Sequence, residues 1–133
     1  MPVLSPQQKA YAQYKNNKIM TASAPELTLM LYDGAIKFLN VADFAMEKGD
    51  IQKAHNNIVK TEKIIEYLRN TLDMKYPVAR DFENMYSYID RRLVEANITK
   101  DREIVGEING HLHAIRDTWI EVMKANHVYV KDA

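Results

Sequence analysis

The chain contains no cysteine, so neither a disulfide framework nor a thiolate metal site is open to it. No secretory apolar segment stands at the N-terminus and no apolar run is long enough to span a bilayer, which makes a cytoplasmic location the expectation. Net charge is also missing. Eighteen basic residues balance eighteen acidic ones, and a neutral surface has no field to attract a phosphate backbone or an anionic membrane. Nucleic acid is therefore not an expected partner. Lys9, Lys15 and Lys18 all precede the first acid, Glu26, but so short a basic run reads as a solvated tail.

Catalytic patterns are absent in the same way. A carboxylate-bridged di-metal bundle needs inward Glu residues and Glu-x-x-His pairs, because that spacing aims oxygen and imidazole at one centre. The chain has no Glu-x-x-His. Glu107 and His111 stand four apart and are read as a surface hydrogen bond, while His111 and His113 leave a helix in different directions. His55 and His127 have no partner at ligand spacing. There is no Gly-rich phosphate loop, no G-x-S-x-G, no nucleophile beside a base and no Arg separated from a following His by four to six residues. No enzyme activity, catalytic residue, metal, cofactor or small-molecule substrate is expected.

What the chain does have is helical periodicity. No stretch alternates with period two, and no low-complexity tract or internal repeat occurs. Ser23 and Glu26 fit a capping box with Pro25 in the first turn, so a helix is expected to start there. Leu27, Leu31, Gly34, Phe38, Val41 and Ala45 follow at steps of four and three, which puts Gly34 on the expected seam, where a neighbouring helix would approach closely. Gly49 suits a C-cap and Asp50 the next N-cap. The second seam is Ile51, Ala54, Ile58, Thr61, Ile65, Leu68 and Leu72, with Ile64 beside it and an end near Asp73. Met74 to Pro77 forms the next break, since proline disfavours helix at the residue before it. Val78, Phe82, Met85, Ile89 and Ala96 make a third seam, flanked by Tyr86 and Leu93. Ile104, Ile108, Leu112, Ile115, Trp119 and Val122 make a fourth, after the break at residues 97–101.

Four helices of about 20 to 25 residues, each about 30 to 38 Å long, with short turns between them imply an all-α, antiparallel up-down-up-down four-helix bundle with a short N-terminal arm. A chain of 133 residues is expected to be a single domain that buries roughly two-thirds of its unfolded surface: residues 1–22 as the arm, 23–125 as the bundle and 126–133 as a tail. Within the arm, Ser5-Pro6-Gln7-Gln8 looks like a second small capping box.

Seven methionines and eight tyrosines supply adaptable apolar surface. Met46, Met85 and Met123 stand at core positions, whereas Tyr11, Tyr14, Ile19, Met20, Met30 and Tyr86 are the candidates for surface that a partner covers. Asp33, next to the seam, is expected to reach across the bundle to Arg91 or Arg92, with Glu95 competing for Arg91.

The run from Thr21 to Phe38, Tyr14 before it, Met85-Tyr86-Ser87-Tyr88, Arg91-Arg92-Leu93-Val94-Glu95-Ala96-Asn97 and Trp119 together resemble the FliS family of bacterial flagellar export chaperones. The resemblance runs from about Tyr11 to Lys124, in the family's order and spacing, with Ser23, Glu26, Asp33, Gly34, Arg91, Arg92, Asn97 and Trp119 as its structural signature. It implies a chaperone of the bacterial cytosol that holds the C-terminal segment of flagellin one to one, blocks its premature polymerisation and presents it to the flagellar type III export gate. Two departures stand out: Ala24 separates the capping Ser from its proline, and Tyr76-Pro77-Val78-Ala79 replaces the family's glycine-containing turn. The competing class is a structural or regulatory bundle that homo-oligomerises through the same apolar surface.

Overall fold

A computed structural model describes residues 5–10 and 24–127. Four α-helices follow one another, α1 Ala24–Glu47, α2 Ile51–Asn70, α3 Ala79–Thr99 and α4 Arg102–Ala125, and no strand occurs among the described residues. Each helix packs on its neighbours in the chain, and α4 closes the square against α1. This is the expected antiparallel bundle. In the arm, residues 6–10 are helical and the Ser5–Gln8 capping box is complete. The Gln8 amide donates to the Ser5 hydroxyl at 3.2 Å and the Ser5 amide to the Gln8 side-chain oxygen at 2.8 Å.

The turns follow from local chemistry. After α1, Gly49 adopts φ 76°, with its amide on the Met46 carbonyl (3.1 Å) and the Asp50 amide on the Ala45 carbonyl (2.8 Å), the bond pair of a Schellman cap. Asp50 then caps α2 by accepting from the Lys53 amide at 3.1 Å. Nothing lies within 4 Å of a Cβ built on Gly49, so Gly49→Ala meets a conformational penalty alone. A drop of about 1 to 2 kcal/mol in a denaturant melt is expected, the cost of a left-handed non-glycine residue. Helix α3 ends on Lys100 at φ 54°, its amide bonded to the Ala96 carbonyl, and Asp101 caps α4 through the Glu103 amide at 2.9 Å. Helix α2 stops at Asn70, short of the expected Asp73, and Pro77 lies in the turn before α3.

The second and fourth seams are buried largely as read: Ala54, Ile58, Thr61, Ile65 and Leu68 on α2, and Ile104, Ile108, Leu112 and Ile115 on α4. Thr61 is accommodated because its hydroxyl donates to the Asn57 carbonyl of the preceding turn at 3.0 Å. Met123 is buried, and Met46 and Met85 pack on the core's edge.

The first seam requires correction. The buried line of α1 is Leu29, Tyr32, Ala35, Ile36, Leu39, Ala42 and Ala45, turned by about one residue, or about 100°, from the expected line. Helix α1 touches both α2 and α4, so its core face points between them, while Leu27, Leu31, Gly34, Phe38 and Val41 are half-buried on its flank toward α2. Gly34 is not a point of exceptional closeness. A Cβ there would meet the Ile64 Cδ1 at 3.5 Å, ordinary van der Waals contact.

Candidate functional site

At one end of the bundle the start of α1, the end of α2, the start of α3 and the end of α4 surround an open, mainly apolar funnel of about 780 Å³. Alternating chain direction brings these four ends together. Leu68 comes from α2, and Leu72, Tyr76, Pro77 and Val78 from the turn that follows. That turn is set by Asp73, whose side chain accepts from the Lys75 amide at 3.0 Å, and by Pro77, which bars continuation of α2. Phe82 from α3 and Trp119, Val122 and Met123 from α4 complete the wall. Trp119 stands edge-on to Phe82, with ring centroids 6.3 Å apart and planes at 85°, and its indole N–H donates to the Pro25 carbonyl at 3.0 Å, pinning α4 to the first turn of α1.

The floor holds a polar pair. The Tyr32 and Tyr86 hydroxyls, from opposite corners of the square, are hydrogen-bonded to one another. Burial pushes the ionisation of both phenols upward; the neighbouring phenol adds to the rise at Tyr32, while at Tyr86 the hydrogen bond shared with Tyr32 opposes it, so both remain protonated at physiological pH. Tyr86, expected as uncovered surface, is only 2% exposed, because Tyr32 supplies the hydrogen bond that lets a tyrosine enter the core.

Asp33 also departs from expectation. It pairs with Arg116 on α4, not with either α3 arginine, since the turned α1 directs this flank toward α4. Arg91 is exposed, lying over the Tyr88 ring at 5.8 Å. Arg92 serves Glu95 on its own helix and holds Glu107 of α4 at 2.8 Å, and Glu107 also receives the Tyr88 hydroxyl at 2.5 Å and faces His111 at 3.1 Å, the surface contact expected from the spacing. The Tyr88 hydroxyl first, then the Arg92 guanidinium, lowers the Glu107 carboxyl from 4.5 to about 2. A carboxylate with a lowered folded value contributes stability that is complete above the unfolded value and lost as pH falls through the folded one. Acid titration of Glu107→Gln should therefore show a shallower loss of stability between about pH 4.5 and about pH 2 than the parent, and an unchanged slope would refute this role.

Of the other residues singled out in the sequence, Asn97 meets His55 Nδ1 across α3 and α2 at 3.0 Å and Trp119 joins the funnel wall. Glu26 lies in the first turn of α1, and Met30 is half-buried outside the funnel. Tyr11, Tyr14, Ile19, Met20 and Ser23 lie outside the described residues. Sequence reasoning missed Tyr32, Leu72, Tyr76, Val78 and Phe82 as a common surface. Their shared signal was topological: all sit at the ends that an up-down-up-down order gathers at one pole. Among the described residues, no group of three or more acidic or histidine side chains stands ready for a metal, and no helix is long and apolar enough to cross a membrane.

The family model described as Flagellar protein FliS matches residues 7–126. The flagellar secretion chaperone FliS of Bacillus subtilis (strain 168) is 36% identical over 118 residues, covering 89% of this chain and 89% of that protein. Its counterpart from Salmonella typhimurium is 33% identical over 118 residues, 86% and 87% of the two chains, and that of Escherichia coli (strain K12) 34% over 117 residues, 85% and 86%. A solved structure described as the crystal structure of a flagellar chaperone from bacteria has the same fold, with a TM-score of 0.72 over 90% of this chain and 99% of that one at 19% identity. A family match that spans all four helices, joined to one-third identity over most of the chain, establishes that this protein belongs to the FliS family.

Proposed function

We propose that this protein is a cytosolic export chaperone, not an enzyme, that seats the C-terminal segment of flagellin in the apolar funnel, keeps it from polymerising and hands it to the flagellar type III export apparatus. The observation that carries this reading is the funnel itself, an open apolar concavity walled by aromatic and aliphatic side chains in a chain of the FliS family. Such a surface suits an amphipathic segment that is disordered when free and orders as its apolar side chains leave water. Among the described residues no cation lines the funnel and Asp73 is its single charged lining residue, so apolar burial supplies the affinity. The free protein is a monomer on this reading, and one client occupies it.

Calorimetry and circular dichroism with the C-terminal segment of the same organism's flagellin test the proposal. One-to-one binding with a large negative heat-capacity change and a gain of helix in the client is expected. No binding, together with a stable dimer by light scattering, would sink it and favour the self-associating bundle.

A further inference from the structure

The phenol pair at the floor of the funnel has a hydrogen left over. Each phenol carries one O–H donor and two acceptor lone pairs, so when one hydroxyl donates to the other, the accepting hydroxyl still holds its own proton. No other hydrogen bond to either oxygen exists among the described residues. The two residues are 1% and 2% exposed, yet both line the funnel. Four of the remaining polar side chains of the wall are already engaged by nearby backbone. The Thr28 hydroxyl donates to the Ala24 carbonyl at 3.2 Å, the Thr71 hydroxyl to the Tyr67 carbonyl at 2.8 Å, and the Asn126 amide to the Val122 carbonyl at 2.8 Å, while Asp73 accepts from the Lys75 amide. Tyr76, the third phenol of the lining, is 63% exposed and open to water, so the hydroxyl pair is the one buried polar feature among the described lining residues with a donor to offer.

We propose that the Tyr32–Tyr86 pair is a specificity-determining point of the funnel, donating one hydrogen bond to a neutral acceptor oxygen on the seated client and so fixing the client's register. The inference rests on the client-seat reading above and deepens it. The acceptor is an amide or hydroxyl side-chain oxygen, or a backbone carbonyl that the client's own helix leaves free. A carboxylate does not fit, because no Lys or Arg lines the funnel among the described residues and an unpaired charge would be buried. A purely apolar side chain at this level leaves the donor without an acceptor, which is how a site built for a hydrogen bond rejects a segment lacking one.

The double variant Y32F/Y86F tests this, with the C-terminal flagellin segment as the probe. Removing both hydroxyls together leaves no orphaned partner, so the melting midpoint should hold or rise. Affinity should fall about two- to tenfold, equivalent to about 0.4 to 1.4 kcal/mol at 1.4 kcal/mol per tenfold. Each single variant keeps one hydroxyl with a free proton and should bind close to the parent. On the client side, replacing acceptor residues one at a time by apolar isosteres, Asn by Leu or Thr by Val, should reveal one sensitive position if the acceptor is a side chain, and its effect should vanish in Y32F/Y86F. Should the double variant fail to fold, loss of client affinity in both Y32F and Y86F would already contradict the expected tolerance of single removal. A double variant that binds as tightly as the parent overturns the inference and leaves the client-seat reading standing; a parent that does not bind the segment overturns that reading itself.

Discussion

Leu93→Ala is expected to lower stability by about 2 to 5 kcal/mol, the range for truncating a fully buried leucine. Leu93 is 0% exposed, inside a core that includes Ile58, Ile65, Ile89, Ile108 and Leu112. Lost transfer of its side chain accounts for about 1.5 to 3 kcal/mol. The remainder is cavity cost, because α3 cannot sink into the gap. It is held to α2 through Arg69 with Glu83 and Asp90, and to α4 through Arg92 with Glu107. Five residues on, Ile98 is 78% exposed, and Ile98→Ala should move stability by no more than about 0.5 kcal/mol. Guanidinium melts of both variants, with unchanged slope, decide the matter. A cost at Ile98 equal to that at Leu93 would mean that the orientation of α3 is wrong.

Val78→Asp is expected to separate folding from client binding. Val78 is 56% exposed on the funnel wall and occupies the N-cap position of α3, where no side chain caps the helix. An acid there faces the positive end of the α3 dipole, worth about 0.3 to 1 kcal/mol, so the melting midpoint should hold or rise slightly. A seated client, by contrast, would cover a carboxylate for which the described lining of the funnel offers no cation. Affinity for the flagellin segment should fall at least about a hundredfold, or about 2.8 kcal/mol, within the several-kcal/mol penalty of burying an unpaired charge. Calorimetry beside a thermal melt gives both numbers from one preparation. Undiminished binding by a folded Val78→Asp protein would place the client elsewhere on the bundle.

The sequence by itself determined the number and order of the four bundle helices, the caps at Gly49 and Asp50, the break at residues 97–101, and the core faces of α2 and α4. These depend on residues a few positions apart: a cap is closed by its neighbouring amides, and a helix with one apolar stripe has one face to bury. Family membership was legible too, because the signature residues are read in order along the chain. Helix α1 escaped such reading. It carries two lines at helical spacing, Leu27, Leu31, Phe38 and Val41 beside Leu29, Tyr32, Ile36 and Leu39, and period alone cannot choose between two phases. Only packing between α2 and α4 selected the second, and with it sent Asp33 to Arg116 and Tyr32 to Tyr86. The funnel was likewise decided in three dimensions. Its walls come from positions as far apart as Pro25 and Trp119, which become neighbours when four antiparallel helices bring their ends to one pole, and no local pattern records that distance.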